Sequence, residues 1–84
     1  MFFMYILKSL KDDDLYVGYT SNLKKRLKEH NDGLNRSTKS RRPFKLVYCE
    51  CYTSEIDARE RESNLKLRTR AFRQLKNRIN RSIS

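Results

Sequence analysis

The chain has no tryptophan, one proline, two glycines, one histidine and two cysteines. Scarce proline and glycine beside five tyrosines and four phenylalanines exclude a disordered or low-complexity chain. Cys49 and Cys51 are too few for a disulfide framework. Two apart on a strand, they would face one side without disulfide geometry. They read as reduced thiols in the core, where free cysteine usually sits. His30 is the only histidine, so a four-ligand zinc site is not expected. Long apolar runs are also missing. The longest, Met1 to Leu7, is far too short to span a membrane. It has neither a basic segment before it nor a small-residue cleavage site after it, so it does not read as a signal peptide. The expected location is the cytoplasm.

Acidic residues are short as well. Lys plus Arg number 20 against 10 for Asp plus Glu, a net charge of +10. Charged residues make up 36% of the chain and apolar residues 37%, which leaves only a thin core. At 84 residues the chain reads as a single domain, 1–84, with a basic C-terminal helix over 68–84. A domain of this size buries only about 60% of the surface its unfolded chain exposes. After Glu62 there is no acid at all, while Lys66, Arg68, Arg70, Arg73, Lys76, Arg78 and Arg81 follow. A second basic cluster is Lys24, Lys25, Arg26 and Lys28; a third is Arg36, Lys39, Arg41, Arg42 and Lys45. Such a surface draws polyanions by Coulomb attraction and counterion release. Solubility alone needs less, since small domains manage with a net charge of about 2 to 8. A membrane surface fits less well, because no helix combines a large apolar face with Trp or Phe anchors.

The pattern gives a coarse architecture. Residues 2–8 are aromatic and apolar on both faces, as in a strand covered on both sides. Residues 9–14, with three consecutive Asp, read as a turn, and 15–20 as a second strand of an antiparallel hairpin. Thr20 or Ser21 caps a helix through about Asn31, with Gly33 just past its end. A polar loop runs to Pro43, and residues 44–52 form a third strand. Thr53 or Ser54 caps a helix over 55–67, with Glu55 and Asp57 in its first turn. A last helix over 69–80 carries the apolar stripe Phe72, Leu75 and Ile79. The fold class is α/β of the α+β type: a three-stranded antiparallel sheet with three helices, in the order ββαβαα.

Several polar side chains converge on this frame. A turn centred between residues 10 and 11 sets Tyr5 directly opposite Tyr16; a register shifted by two makes them diagonal neighbours on the same face. Gly18 shares that face, and a strand glycine often marks a close approach. Arg26 and His30, one helical turn apart, border the Leu23–Leu27 stripe. Glu62 borders the stripe of Ala58 and Leu65. Taken singly, each has an ordinary reading: packed tyrosines, a snorkelling arginine, a structural histidine, a surface acid. Together they are parts for phosphodiester cleavage. A carboxylate holds a divalent cation, an arginine offsets charge on phosphate, and a phenol or imidazole takes a proton from water.

Phe3-Met4-Tyr5, then Tyr16-Val17-Gly18, then Asn22-Leu23-x-x-Arg26-Leu27-x-x-His30-Asn31, then Ala58-x-x-x-Glu62-x-x-Leu65-Lys66 resembles the GIY-YIG nuclease superfamily. The likeness runs over residues 2–67 and is strongest to the small single-domain, uncharacterised UPF0213-like members. It implies a metal-dependent endonuclease, a hydrolase of phosphodiester bonds in DNA, with repair or recombination as its setting. It implies Tyr5, Tyr16, Arg26, His30 and Glu62 as the catalytic set, with Glu62 the ligand of one Mg²⁺ or Mn²⁺. Tyr5, alone or relayed through His30, would deprotonate water; Arg26 and Tyr16 would bind the phosphate. The first motif lacks the family's glycine and isoleucine but keeps its tyrosine. Asn64, Asn77, Asn80 and Gln74 remain open as the polar residue many members place near the phosphate. Lys24, Lys25, Arg41, Arg42, Lys66, Arg70 and Arg73 are the expected nucleic-acid contacts. The expected partner is DNA, with RNA left open, alongside a protein partner that gives specificity; no membrane is involved, and the chain is a monomer or weak dimer. The competing reading is a nucleic-acid-binding module that kept the fold without the chemistry.

Overall fold

A computed structural model of the chain describes residues 1–67 and 69–84. Arg68, counted above in the basic tail, lies outside the described residues. The strands are β1 (Phe2–Ser9), β2 (Leu15–Thr20) and β3 (Phe44–Tyr52); the helices are α1 (Leu23–Asn31), α2 (Glu55–Leu67), α3 (Thr69–Arg78) and a single short turn of helix, α4 (Asn80–Ile83). The expected three-stranded antiparallel sheet is present, in the order β2-β1-β3. No helix among the described residues is long and apolar enough to cross a membrane.

The unbroken apolar run of β1 has its explanation in this order. As the central strand it is covered on both faces, and Met4, Tyr5, Ile6 and Leu7 are all buried. On one face Met4, Ile6 and Val17 pack with Leu65 of α2, Leu75 of α3 and Ile79 just past the end of α3. On the other, Tyr5, Leu7 and Phe44 pack with Tyr16 and with Leu23 and Leu27 of α1. The sheet thus separates α1 from α2 and α3.

Two expectations shift along the hairpin and α1. The hairpin pairs Tyr5 with Gly18 and Leu7 with Tyr16, so the two tyrosines are diagonal rather than directly opposite. The cause is the loop. Asp13 takes a left-handed conformation with φ 61°, and the Ser9 amide donates to the Asp14 carbonyl at 2.9 Å, which moves the turn towards β2. The cap of α1 is Asn22, whose side chain accepts from the Lys25 amide at 3.1 Å, rather than Thr20 or Ser21. Thr20 supports the cap by accepting from the Asn22 amide at 3.0 Å.

The cysteines are the clearest correction. Cys49 and Cys51 are free thiols, but both are exposed, not buried in the core. They lie on β3, an edge strand, on the Tyr5 side of the sheet. There α1 reaches only the Phe44 end of the strand, where Asn31 holds both backbone groups of Phe44. Leu46, Cys49 and Cys51 beyond it are left open. The last helix is also interrupted: Ile79 leaves helical geometry with φ −112°, and a separate turn follows.

Candidate active site

The site is built outward from Gly18. A β-carbon there would fall within 2.7 Å of Tyr5 Cε2 and closer still to Cζ and Oη. Only glycine lets the Tyr5 ring lie flat over the β2 backbone. This is the close approach that the strand glycine signals in the sequence. It fixes the Tyr5 hydroxyl, which is hydrogen-bonded to His30 Nε2 at 2.9 Å.

His30 is deeper than its place beside the α1 stripe implies. It is fully buried, and Tyr5 is only 1% exposed. The helix ends at Asn31, and the loop that follows folds back across the imidazole. Thr38, also fully buried, lies 2.8 Å from His30 Nδ1. Tyr16 closes the third side, with its ring centroid 5.1 Å from that of His30 and 6.5 Å from that of Tyr5. Phe44 packs against the imidazole from β3 at 5.9 Å.

Arg26, one turn before His30 on α1, is half-buried with its guanidinium beside the Tyr5 phenol. Its neighbour on the helix is Glu29, 3.4 Å away. Burial pushes the Tyr5 hydroxyl up to about 12, against the pull of the Arg26 cation. Burial, with Arg26 nearby, lowers the His30 pKa below its ordinary value. At neutral pH the pair is a phenol and a neutral imidazole.

Glu62 comes from the other face of the sheet. The α2 backbone packs through Leu65 on the Met4 side, while Lys66 reaches round the free edge of β2 to lie 5.5 Å from the Tyr16 ring centroid. Glu62, with its side chain 23% exposed, pairs with Lys66 at 3.1 Å, and its charge is felt at Tyr5. Among the described residues no three His, Cys, Asp or Glu side chains cluster to hold an ion. Glu62 offers a carboxylate to a hard cation, whose other ligands would be phosphate oxygens and water. Beside these groups lies an open cleft of about 450 Å³ between the end of β2 and the start of α1, lined by Tyr19, Thr20, Asn22, Lys25, Arg26 and Glu29.

Tyr5, Tyr16, Arg26 and His30 therefore meet, with Glu62 at the margin. The basic residues expected to contact nucleic acid are divided. Lys24 and Lys25 are exposed on α1, and Arg70 and Arg73 are exposed on α3 across the sheet. Arg41 is engaged with Asp12 at 2.9 Å and sits over Phe44, and Arg42 donates to the Lys39 carbonyl at 3.0 Å. Of the four open candidates for a polar group at the phosphate, Gln74 lies away from the site, lining a hollow with Arg61 and Arg78. Thr38 was not found from the sequence. A threonine among Arg36, Ser37, Lys39 and Ser40 looks like solvent-facing loop.

A family model described as the GIY-YIG catalytic domain matches residues 1–80. The chain is 46% identical over 71 residues to a UPF0213 protein of Clostridium perfringens, covering 83% of this chain and 75% of that one. It is 45% identical over 65 residues to one from Bacillus licheniformis, covering 76% and 66%. The UPF0213 protein YazA of Bacillus subtilis is 40% identical over 74 residues, covering 87% and 74%. No solved structure matches.

Proposed function

The chain belongs to the GIY-YIG catalytic-domain family, and from that premise we propose that it is a metal-dependent endonuclease that hydrolyses phosphodiester bonds in DNA. The observation that supports it most is the buried Tyr5–His30 hydrogen bond with Arg26, which also lines the cleft, beside it. With Tyr5 near 12, only about one phenol in 10⁵ is ionised at pH 7, so a standing phenolate is a poor base. The relay avoids that difficulty. The attacking water passes a proton to the Tyr5 oxygen as the Tyr5 proton moves to His30 Nε2. The water oxygen bonds to phosphorus as the bond to the leaving oxygen breaks; the leaving oxygen takes a proton from solvent, and His30 afterwards returns the proton it holds. Arg26 and Tyr16 hold the phosphate, with the guanidinium facing charge as it develops. Glu62 would hold one Mg²⁺ or Mn²⁺, which supplies polarisation of the phosphoryl oxygen and a more acidic water when bound. DNA repair or recombination in the cytoplasm is the setting we favour.

The 3.1 Å pair between Glu62 and Lys66 favours a second reading, a nucleic-acid-binding module without chemistry, because an engaged carboxylate is less available to a cation. One experiment separates them. The wild type and Glu62→Ala are incubated at low salt with labelled duplex, single-stranded and branched DNA, with and without Mg²⁺ or Mn²⁺. Metal-dependent nicking by the wild type is expected. Glu62→Ala should lose it and bind DNA at least as tightly, because one negative charge is gone. Binding by both proteins with no cleavage in any metal would favour the module.

A further inference from the structure

The loop between α1 and β3 is tied down at unusual cost for a polar surface segment. The Arg41 amide donates to the Thr38 carbonyl at 3.0 Å, and the Arg41 carbonyl accepts from the fully buried Ser9 hydroxyl at 2.6 Å. Arg41 also pairs with Asp12 in the hairpin turn. This anchoring delivers one side chain to the interior, Thr38, and its hydroxyl meets His30.

The direction of the hydrogen bonds follows from what each group can do. Arg26 beside Tyr5 can only donate, so it cannot accept the Tyr5 hydroxyl proton. The acceptor hydrogen-bonded to that hydroxyl is His30 Nε2. A neutral imidazole that accepts at Nε2 carries its proton on Nδ1. That proton points at Thr38 Oγ1, 2.8 Å away. The Thr38 hydroxyl in turn faces the Asn35 carbonyl at 3.4 Å. Every proton then has an acceptor. With the opposite tautomer, Nε2–H would donate to the Tyr5 oxygen and Nδ1 would accept from Thr38, and the buried Tyr5 hydroxyl proton would have no acceptor among the described residues.

We propose that Thr38 is a positioning residue that holds His30 in the Nδ1–H tautomer, leaving Nε2 free to take the Tyr5 proton. Its catalytic consequence rests on the nuclease reading; the tautomer itself does not. When the proton moves from Tyr5 to Nε2, the imidazole becomes doubly protonated and the Nδ1–H bond to Thr38 persists. Thr38 gains and loses nothing. It keeps the ring in the orientation from which the transfer occurs.

The lone histidine makes the test direct, because its imidazole signals need no assignment. Long-range ¹H–¹⁵N spectra of the full chain at pH 8 report which ring nitrogen carries the proton. The wild type should show Nδ1–H. Thr38→Val, nearly isosteric, should shift the population towards Nε2–H, and Thr38→Ser should retain the wild-type tautomer. In the cleavage assay Thr38→Val should be slower by about 10- to 100-fold, the usual effect of losing a group that orients a ligand or base, and Thr38→Ser close to wild type. An Nε2–H wild type, or a Thr38→Val tautomer identical to wild type, overturns the proposal whatever the rates. If Thr38→Val fails to fold, Thr38→Ala takes its place, and the wild-type spectrum still decides. A tautomer shift in a protein that never cleaves DNA supports the role of Thr38 and counts against the nuclease reading alone.

Discussion

At the scale of single residues, the fold keeps a buried histidine neutral. His30 titrates lower in the folded chain than its unfolded value near 6.5, because burial and Arg26 disfavour the charged ring. Between the folded and unfolded values the unfolded chain binds more protons. Stability should therefore be full above about pH 6.5 and fall as the pH drops below it, by at most about 1.4 kcal/mol per pH unit for this one proton. Glu50 acts in a different window. Burial pushes its carboxyl up, but hydrogen bonds from Arg61, Tyr52 and Tyr48 outweigh that and hold it low, so its contribution is lost only under more acid conditions. Urea unfolding followed from pH 7.5 to 5.5 should show a falling midpoint in the wild type and a nearly flat one in His30→Gln. The meeting of Tyr5, Tyr16, Arg26 and His30 was legible because a hairpin register sets the two tyrosines on one face and a single helical turn sets Arg26 beside His30. Thr38 and Ser9 were not, since the contacts Thr38–His30 and Arg41–Ser9 form only when the loop carrying Thr38 and Arg41 folds back over α1 and the hairpin, a fact of tertiary structure.

At the scale of elements, the strands and α2 were readable from alternation, caps and turn residues. β3 and α2 fall on the expected bounds. The hairpin register was less certain, because a five-residue loop permits more than one pairing and both put Tyr5 and Tyr16 on the same face. The exposure of Cys49 and Cys51 was misread because a strand's own pattern does not say how far a nine-residue helix reaches across it. What docks that helix is Asn31. Its side chain donates to the Phe44 carbonyl at 3.1 Å and accepts from the Phe44 amide at 2.7 Å, imitating a neighbouring strand. Asn31→Ala removes both bonds and leaves the two backbone groups to water or to nothing. The expected loss is about 1 to 3 kcal/mol in urea unfolding. It should fall more heavily on protection of α1 amides from hydrogen exchange than on β1, because the sheet keeps its other contacts.

At the scale of the molecule, a charge of +10 sits on a body 28 × 26 × 21 Å across, little larger than a duplex is wide. Its arrangement matters more than its size. Exposed ion pairs such as Lys28–Asp32 and Arg59–Glu55 engage some of the cations. The rest lie on both faces of the sheet, because α1 and α3 pack against opposite sides. A rigid duplex placed over the cleft between β2 and α1 meets the α1 face of the sheet, which carries Lys24 and Lys25, while Arg70 and Arg73 lie on α3 across the sheet. Each phosphate contact contributes about 0.9 to the slope of log K against log salt. A footprint of about four contacts therefore gives a slope near −4, well short of what the net charge would allow. Replacing Lys24 and Lys25 together by Ala should flatten the slope by about 2, whereas replacing Arg70 and Arg73 should change it by less than 1. Fluorescence anisotropy with a short duplex across a salt series measures both. The reverse ranking would put the duplex on α3 and away from the Tyr5–His30 pair, leaving a bound strand out of reach of the proposed chemistry.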